Sequence, residues 1–161
     1  MLDLTTQRSA ALVALGGVAA LGTAYVFQYG YGYVPCALCL WQRWPYYIGI
    51  PLALILAVTG KSLPPSALKA GVAVLALLFV VNAGIGVYHS GIEWKFWPGP
   101  ATCSPGAAGP ASGNLLDDLK ATRIVPCDAA SWRFLGLSFA GWNVVVSAVL
   151  AGIAFVGLKR R

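Results

Sequence analysis

The sequence predicts an all-α membrane protein, a bundle of four transmembrane helices with one long loop outside the membrane. The mean hydropathy is +0.73, and 58% of the residues are hydrophobic while only 10% are charged. The charged residues fall in groups, and the apolar stretches between the groups are long enough to cross a hydrocarbon core, which takes roughly 17 to 25 residues. Lipid offers the backbone no hydrogen-bond partners, so these stretches are expected to form helices.

The four predicted spans follow the apolar runs in chain order. They cover residues 10–28, 44–59, 70–88 and 139–158, each to within a few residues. A cleavable signal peptide is the alternative for the first run, because Arg8 precedes it and small residues lie near Gly22. The run continues past Val26 and three further spans follow, which favours a true span. The whole chain, residues 1–161, is predicted to form one domain.

The spans leave two loops on one side, residues 29–43 and 89–138, and a short turn with Pro64 and Pro65 on the other. Asn114, in the longer loop, is placed to cap a short amphipathic helix. Leucines and charged residues of this helix occupy different faces, as in a helix that lies on a membrane surface or packs on its own loop. The apolar face holds Leu115, Leu116 and Leu119, and the polar face holds Asp117, Asp118 and Lys120.

Basic residues near the ends of the spans predict the orientation, because Lys and Arg in short loops are retained in the cytoplasm. An even number of spans puts both termini on one side. That side carries six basic residues offset only by Asp3: Arg8, Lys61, Lys69, Lys159, Arg160 and Arg161. The N- and C-termini are therefore predicted to be cytoplasmic, with both loops in the periplasm or outside the cell. The net charge of +6 is mostly a consequence of this topology and gives no reason to expect a nucleic acid as partner. The apolar spans predict contact with a lipid bilayer.

All four cysteines fall on the far side of the membrane, where disulfides persist. Cys36 and Cys39 form a CxxC pair, whereas Cys103 and Cys127 lie far along the chain in the long loop. A CxxC pair is redox-active when one thiolate is stabilised, and the amides and dipole at a helix N-terminus provide that stabilisation. Pro35 fits a helix start directly before the pair.

Two polar residues lie at the same membrane face as the CxxC pair. Arg43 follows Cys39 by four residues and would share its helix face. An arginine at that depth usually has a partner, here a lipid phosphate or an electron acceptor, although snorkelling at a helix end is the structural alternative. His89, the single histidine, closes the third span; it is either a polar anchor or a hydrogen-bond donor and proton shuttle beside a quinone or thiolate.

Structural roles for the cysteines remain open at this point. A zinc site would prefer two CxxC knuckles, which the second pair does not provide, so no metal is predicted. Cys103 and Cys127, 24 positions apart, either staple the loop or join a relay with the CxxC pair.

With these residues in place, the chain resembles the disulfide bond formation protein B family, DsbB, over nearly its whole length. The resemblance rests on the four spans and on three sequence tracts. These are PCALCLWQR at residues 35–43, the tract from Tyr88 through FWPGP to Cys103, and Cys127 followed by Trp132 and FLGL at residues 134–137.

The resemblance implies an enzyme of the bacterial inner membrane, a thiol:quinone oxidoreductase that supports disulfide bond formation. Such an enzyme reoxidises a periplasmic thioredoxin-fold dithiol oxidase, DsbA-like, and passes two electrons to ubiquinone or menaquinone in the membrane pool. By position, the resemblance implies that Cys103 forms the mixed disulfide with the partner, that Cys127 completes the loop disulfide, and that Cys36 exchanges with this pair.

The resemblance also implies that Cys39 faces the quinone, that Arg43 binds the quinone and stabilises the thiolate, and that His89 lines the same site. A low pKa at Cys39 would suit this last step, because a thiol of low pKa leaves faster in exchange. The segment of residues 104–126 is rich in Ala, Gly and Ser, which departs from the family and leaves the grip on the partner open.

Two rival interpretations remain. A vitamin K epoxide reductase-like enzyme also couples thiols to quinone, but that family places its CxxC after the loop cysteines, whereas here the CxxC comes first. A tetraspan scaffold with structural disulfides would instead have inert bonds.

Overall fold

The structure is a computed structural model, described for residues 2–100, 123–124, 127–130 and 132–159. Helices account for most of the described chain. They are α1 (Leu2–Tyr25), α2 (Ala37–Trp41), α3 (Trp44–Thr59), α4 (Pro65–Glu93) and α5 (Phe139–Lys159). Four two-residue strands complete it: β1 (Tyr33–Val34), β2 (Arg123–Ile124), β3 (Arg133–Phe134) and β4 (Leu137–Ser138). The predicted amphipathic helix near Asn114 lies outside the described residues.

Three helices of the described chain are long and apolar enough to cross a membrane: Thr6–Gly30, Pro65–Glu93 and Phe139–Lys159. These match the first, third and fourth predicted spans. The second predicted span corresponds to α3, which has 16 residues and so extends only about 24 Å at 1.5 Å per residue. A count of four spans therefore stays a prediction.

The chain breaks between α2 and α3 because Pro45 stands at the start of α3. Proline has no backbone N–H with which to continue the hydrogen-bond ladder of α2, and its ring restricts the preceding residue. The backbone turns at Gln42 and Arg43 instead, where the Arg43 N–H donates to the Leu40 carbonyl at 3.0 Å. This turn separates the CxxC segment from the body of α3.

The four longer helices pack as a bundle in the cyclic order α1, α3, α4, α5. Phe79, Leu75 and Leu68 on α4 are fully buried in its core. Many large apolar side chains point outward instead, among them Leu15 on α1, Val58 on α3 and Leu77 on α4. Such a continuous apolar exterior is expected of a bundle surrounded by lipid, where the backbone is satisfied within each helix.

A polar cluster joins three helices inside the bundle. The Tyr46 hydroxyl on α3 donates to Asn143 Oδ1 on α5 at 2.8 Å, and Asn82 Nδ2 on α4 donates to Ser147 Oγ on α5 at 2.9 Å. Polar bonds between helices in apolar surroundings each contribute on the order of 0.6 kcal/mol. The cluster fixes the relative rotation of α3, α4 and α5.

The helices α1 and α5 lie close together near Gly157. A Cβ atom at this glycine would lie 2.1 Å from Ser9 Oγ, and the Thr6 hydroxyl donates to the Gly157 carbonyl at 3.0 Å. Small residues at such a crossing let two backbones meet.

The cysteine end of the bundle, where α1 and α4 finish and α2 begins, carries the irregular structure. A π-helical turn, Val26–Gly30, extends α1. Strand β1 pairs in parallel with β2, with Tyr33 opposite Arg123. Strands β3 and β4 form an antiparallel hairpin whose turn residues Leu135 and Gly136 have φ of 52° and 83°, as a type I′ turn requires.

Candidate active site

The CxxC pair lies at the start of α2. Cys36 is the N-cap residue, and its sulfur accepts a hydrogen bond from the Cys39 N–H at 3.2 Å. Both thiols are free, and their Sγ atoms are 2.6 Å apart. The helix start predicted after Pro35 is confirmed, because the helix begins at Ala37. A sulfur that caps a helix in this way receives both a backbone N–H and the positive end of the helix dipole.

His89 reaches the pair from α4. Its Nε2 is 3.8 Å from Cys36 Sγ, and its Nδ1 is 2.8 Å from Nε2 of Gln42. His89 and Gln42 are both buried. The structure thus places His89 against the Cys36 thiol, and His89 is not among the residues that line the cavity described below.

The two thiols have opposite acidities in the dithiol form. The hydrogen bond from Cys39 lowers the pKa of Cys36 to about 5, with a further hydrogen bond from His89 in the same direction and burial acting against both. Cys39 is the donor in this hydrogen bond and keeps its proton, so the bond to Cys36, together with burial, holds the pKa of Cys39 well above its usual range. The expectation of a low pKa at Cys39 is therefore wrong for this form, because the capping position and the histidine both serve Cys36.

Arg43 lies in the turn after α2 and is nearly buried. Its Nη1 donates to Gln28 Oε1 at 2.6 Å, and its guanidinium carbon lies 5.1 Å from the centre of the Tyr25 ring. The hydrogen bond and the cation–π contact fix the guanidinium at the end of α1. Arg43 has a protein partner and is not simply a side chain that snorkels to water.

A cavity of about 720 Å³ opens between α1 and α5 and ends at these residues. Most of its wall is apolar and comes from α1 and α5, with aromatic side chains of the hairpin near one end. The polar and thiol side chains that line it include Cys39, Gln42, Arg43, Tyr46 and Asn143. A long apolar groove with a few polar groups at one end suits an amphiphilic ligand with a compact polar head.

The loop cysteines are described only in part. Cys127 is 1% exposed and packs with Cys36, Leu38 and Ile92 in a small cluster. It is disulfide-bonded, while its predicted partner Cys103 lies outside the described residues. Cys127 and Cys36 thus belong to the same buried cluster.

The thiols and the imidazole form the donor set of a possible metal site. The ligand atoms of Cys36, Cys39 and His89 all lie within 4.8 Å of one another. Two thiolates on one tetrahedral zinc ion would be roughly 3.8 Å apart, given Zn–S bonds of about 2.3 Å. The sulfurs are closer than that, so they would have to move apart before both could bind one zinc ion.

Sequence reasoning missed Gln28, Gln42 and Asn143. Gln28 and Gln42 are ordinary polar residues in the sequence, and only the packing of α1, α2 and α4 brings them to Arg43 and His89. Asn143 carried a usable signal, since an asparagine inside an apolar span usually faces the bundle interior.

Comparisons with known proteins agree on one family. The family model described as "Disulfide bond formation protein DsbB" matches residues 6–157. The Disulfide bond formation protein B of Polaromonas naphthalenivorans is 30% identical, over 96% of this chain and 92% of its own length. The protein of that name from Verminephrobacter eiseniae is 31% identical, over 99% of this chain and 89% of its own. No solved structure matches.

Proposed function

The chain belongs to the DsbB family of disulfide bond formation proteins, and on that premise we propose that it is a thiol:quinone oxidoreductase. It reoxidises a periplasmic DsbA-like dithiol oxidase and passes two electrons through its two cysteine pairs to ubiquinone or menaquinone. One observation carries this proposal: Cys39 and Arg43 line the same apolar cavity, while Cys36 packs with Cys127 in one buried cluster.

The cavity suits a quinone by its chemistry. The carbonyl oxygens of a quinone ring accept hydrogen bonds, which the Arg43 guanidinium can donate without leaving Gln28, because it carries five N–H groups. An isoprenoid tail requires an apolar channel, which the walls formed by α1 and α5 provide. A bound quinone would supply the sink for two electrons and two protons.

Electron flow starts at the loop pair. One thiolate of the partner attacks Cys103 and displaces Cys127, and the partner's second thiolate releases Cys103, which leaves the partner oxidised. Cys127 then attacks Cys36 of the Cys36–Cys39 disulfide and displaces Cys39. Cys103 attacks Cys127 in turn and releases Cys36, so that the loop disulfide is restored and the CxxC pair holds both electrons.

In that state Cys36 and Cys39 are both free and Cys127 is again part of the loop disulfide. Cys39, in the cavity wall, then delivers the two electrons as the Cys36–Cys39 bond forms again. The two protons of the dithiol pass to the acceptor. A quinone sink makes the cycle favourable, because a DsbA-like partner near about −120 mV is itself a strong oxidant.

The topology follows from the same proposal. The protein is a multi-pass protein of the bacterial inner membrane, with helices long enough to span it. We take α3 as the second of four spans, with cytoplasmic termini and with both cysteine pairs in periplasmic loops, residues 29–43 and 89–138.

The test is quinone reduction by the purified protein in lipid nanodiscs, followed by absorbance, with a reduced thioredoxin-fold oxidase as electron donor. Steady turnover is expected with the unaltered protein and none with Cys36→Ser. Gly152→Ala is the control variant, because a Cβ at this helix position meets open space. It should turn over like the unaltered protein. Absence of turnover with both ubiquinone and menaquinone would favour a tetraspan scaffold with structural disulfides.

A further inference from the structure

Gln42 connects the cavity to the thiol pair through His89. Its side chain is 6% exposed and lines the cavity. Its Nε2 lies 2.8 Å from His89 Nδ1, and on the opposite edge of the imidazole Nε2 lies 3.8 Å from Cys36 Sγ. The imidazole, only 2% exposed, is therefore held between an amide and a sulfur.

With the amide nitrogen of Gln42 facing the ring, the chemistry of this contact indicates where the imidazole carries its proton. An amide nitrogen has two N–H donors and accepts nothing, so the ring nitrogen that faces it must present a lone pair. A neutral imidazole has one N–H, and a lone pair at Nδ1 puts the proton on Nε2. That N–H is the one directed toward the Cys36 sulfur.

We propose that Gln42 is a positioning residue that holds His89 in the Nε2–H tautomer, so that the imidazole donates a hydrogen bond to the Cys36 sulfur. A donor at this place favours the thiolate over the thiol. The lowered pKa of Cys36, to which His89 contributes, agrees with this arrangement.

The consequence, which rests on the proposed function, lies in the exchange between the two cysteine pairs. Cys36 leaves as a thiolate when Cys103 restores the loop disulfide, and a stabilised thiolate leaves faster. Gln42 would thereby promote transfer of electrons out of the loop pair without touching the partner protein.

Other charged and titratable groups surround His89 and Cys36. Cys39 lies on α2, Arg43 follows it in the turn, and Glu93 on α4 lies near enough to interact electrostatically with both His89 and Cys36. Arg133 on β3 interacts in turn with Glu93. None of these groups is hydrogen-bonded to Nδ1 in the part of the chain described, where Gln42 is its partner.

The test uses the fact that His89 is the only histidine of the chain. Protein purified without a histidine tag, labelled with ¹⁵N-histidine and held in the dithiol form in nanodiscs, gives one imidazole spectrum by NMR. At pH 8 we expect the Nε2–H tautomer in the unaltered protein. Gln42→Leu should give a mixture of tautomers, and the nearly isosteric Gln42→Glu should move the proton to Nδ1 or protonate both nitrogens.

The matched control is Gln28→Leu, the same substitution on the Arg43 side of the site, which should leave the spectrum unchanged. Alkylation of Cys36 in a Cys39→Ser background gives a second readout, since loss of Gln42 should raise the midpoint of its pH profile by about one pH unit. An Nδ1–H tautomer or an imidazolium in the unaltered protein would overturn the proposal, as would a tautomer insensitive to both Gln42 variants. Neither quinone nor partner is present, so these results stand apart from any failure of quinone reduction.

Discussion

Arg43 donates from Nη1 to Gln28 Oε1 at 2.6 Å, which ties the turn after the CxxC helix to the end of α1. Gln28 lies in the π-helical turn Val26–Gly30. Such turns widen the helix by one residue and often occur at functional sites. Gln28 lies in this wider turn, and its amide oxygen accepts the hydrogen bond that restrains the Arg43 guanidinium at the cavity.

Substitution Gln28→Leu should weaken quinone use without affecting the partner protein. The guanidinium would lose the acceptor that fixes its position. Because Gln28 acts on the quinone only through Arg43, we expect the KM for quinone to rise about threefold to tenfold, which is roughly 0.7 to 1.4 kcal/mol. Steady-state kinetics with each substrate varied separately checks this. An equal rise in the KM for the protein dithiol would argue against a role confined to the quinone.

Arg43→His should raise the KM for quinone more than Gln28→Leu does. Removing a donor group to a charged or polar ligand costs about tenfold to a hundredfold in binding. The KM for quinone is expected to rise by that factor, and the KM for the thioredoxin-fold donor to change little. Arg133→His, a change of the same type on the hairpin, is the matched control, and a silent Arg43→His would favour the scaffold interpretation.

Cys39→Ser should separate the two halves of the electron path. Without Cys39 the CxxC disulfide cannot form, so quinone reduction is abolished, yet Cys103 can still trap the partner in a mixed disulfide. Non-reducing gel electrophoresis and quinone absorbance measure the two steps on one sample. Normal quinone turnover by this variant would sink the proposed path.

The acidities of the two thiols predict selective alkylation. In the reduced protein at pH 7, iodoacetamide should modify Cys36 and spare Cys39, because the pKa of Cys36 is lowered to about 5 while that of Cys39 is raised. As the pH falls through 5, Cys36 becomes protonated and its alkylation slows. Mass spectrometry of the two modified positions over pH 3 to 9 checks both statements; preferential labelling of Cys39 would contradict them.

Gly157→Ala should loosen the contact between α1 and α5. The added Cβ would lie 2.1 Å from Ser9 Oγ and 2.7 Å from its Cβ, so the helices must separate, at a cost of about 1 to 3 kcal/mol. Gly152→Ala meets nothing within 4 Å on the same helix and should be neutral or slightly stabilising. Thermal unfolding in detergent compares the two variants. Equal melting temperatures would show that α1 and α5 accommodate the added Cβ without loss of stability.

The sequence was sufficient to predict the elements that depend on local pattern. Three of the apolar runs became long helices, and Pro35 marked the start of the helix that carries Cys36 and Cys39. The break at Gln42 and Arg43 was also within reach, because Pro45 cannot extend α2.

The contacts between helices, and the thiol acidities that depend on them, could not be predicted from the sequence. Nothing near Gln42 in the sequence indicates that α4 will bring His89 to its amide, 47 positions away. The assignment of the low pKa to Cys36 also depends in part on packing, because the hydrogen bond from His89 is a tertiary contact that adds to the one from Cys39.

The cavity between α1 and α5 reaches the outside of the bundle through its flank. Leu12 and Val149, which line it, are also 54% and 55% exposed on the outer apolar surface. A lipophilic molecule can therefore enter by lateral diffusion within the bilayer and need not cross water. Its effective concentration is a mole fraction in the lipid, so saturation should depend on the ratio of that molecule to phospholipid and stay the same when the aqueous volume is changed.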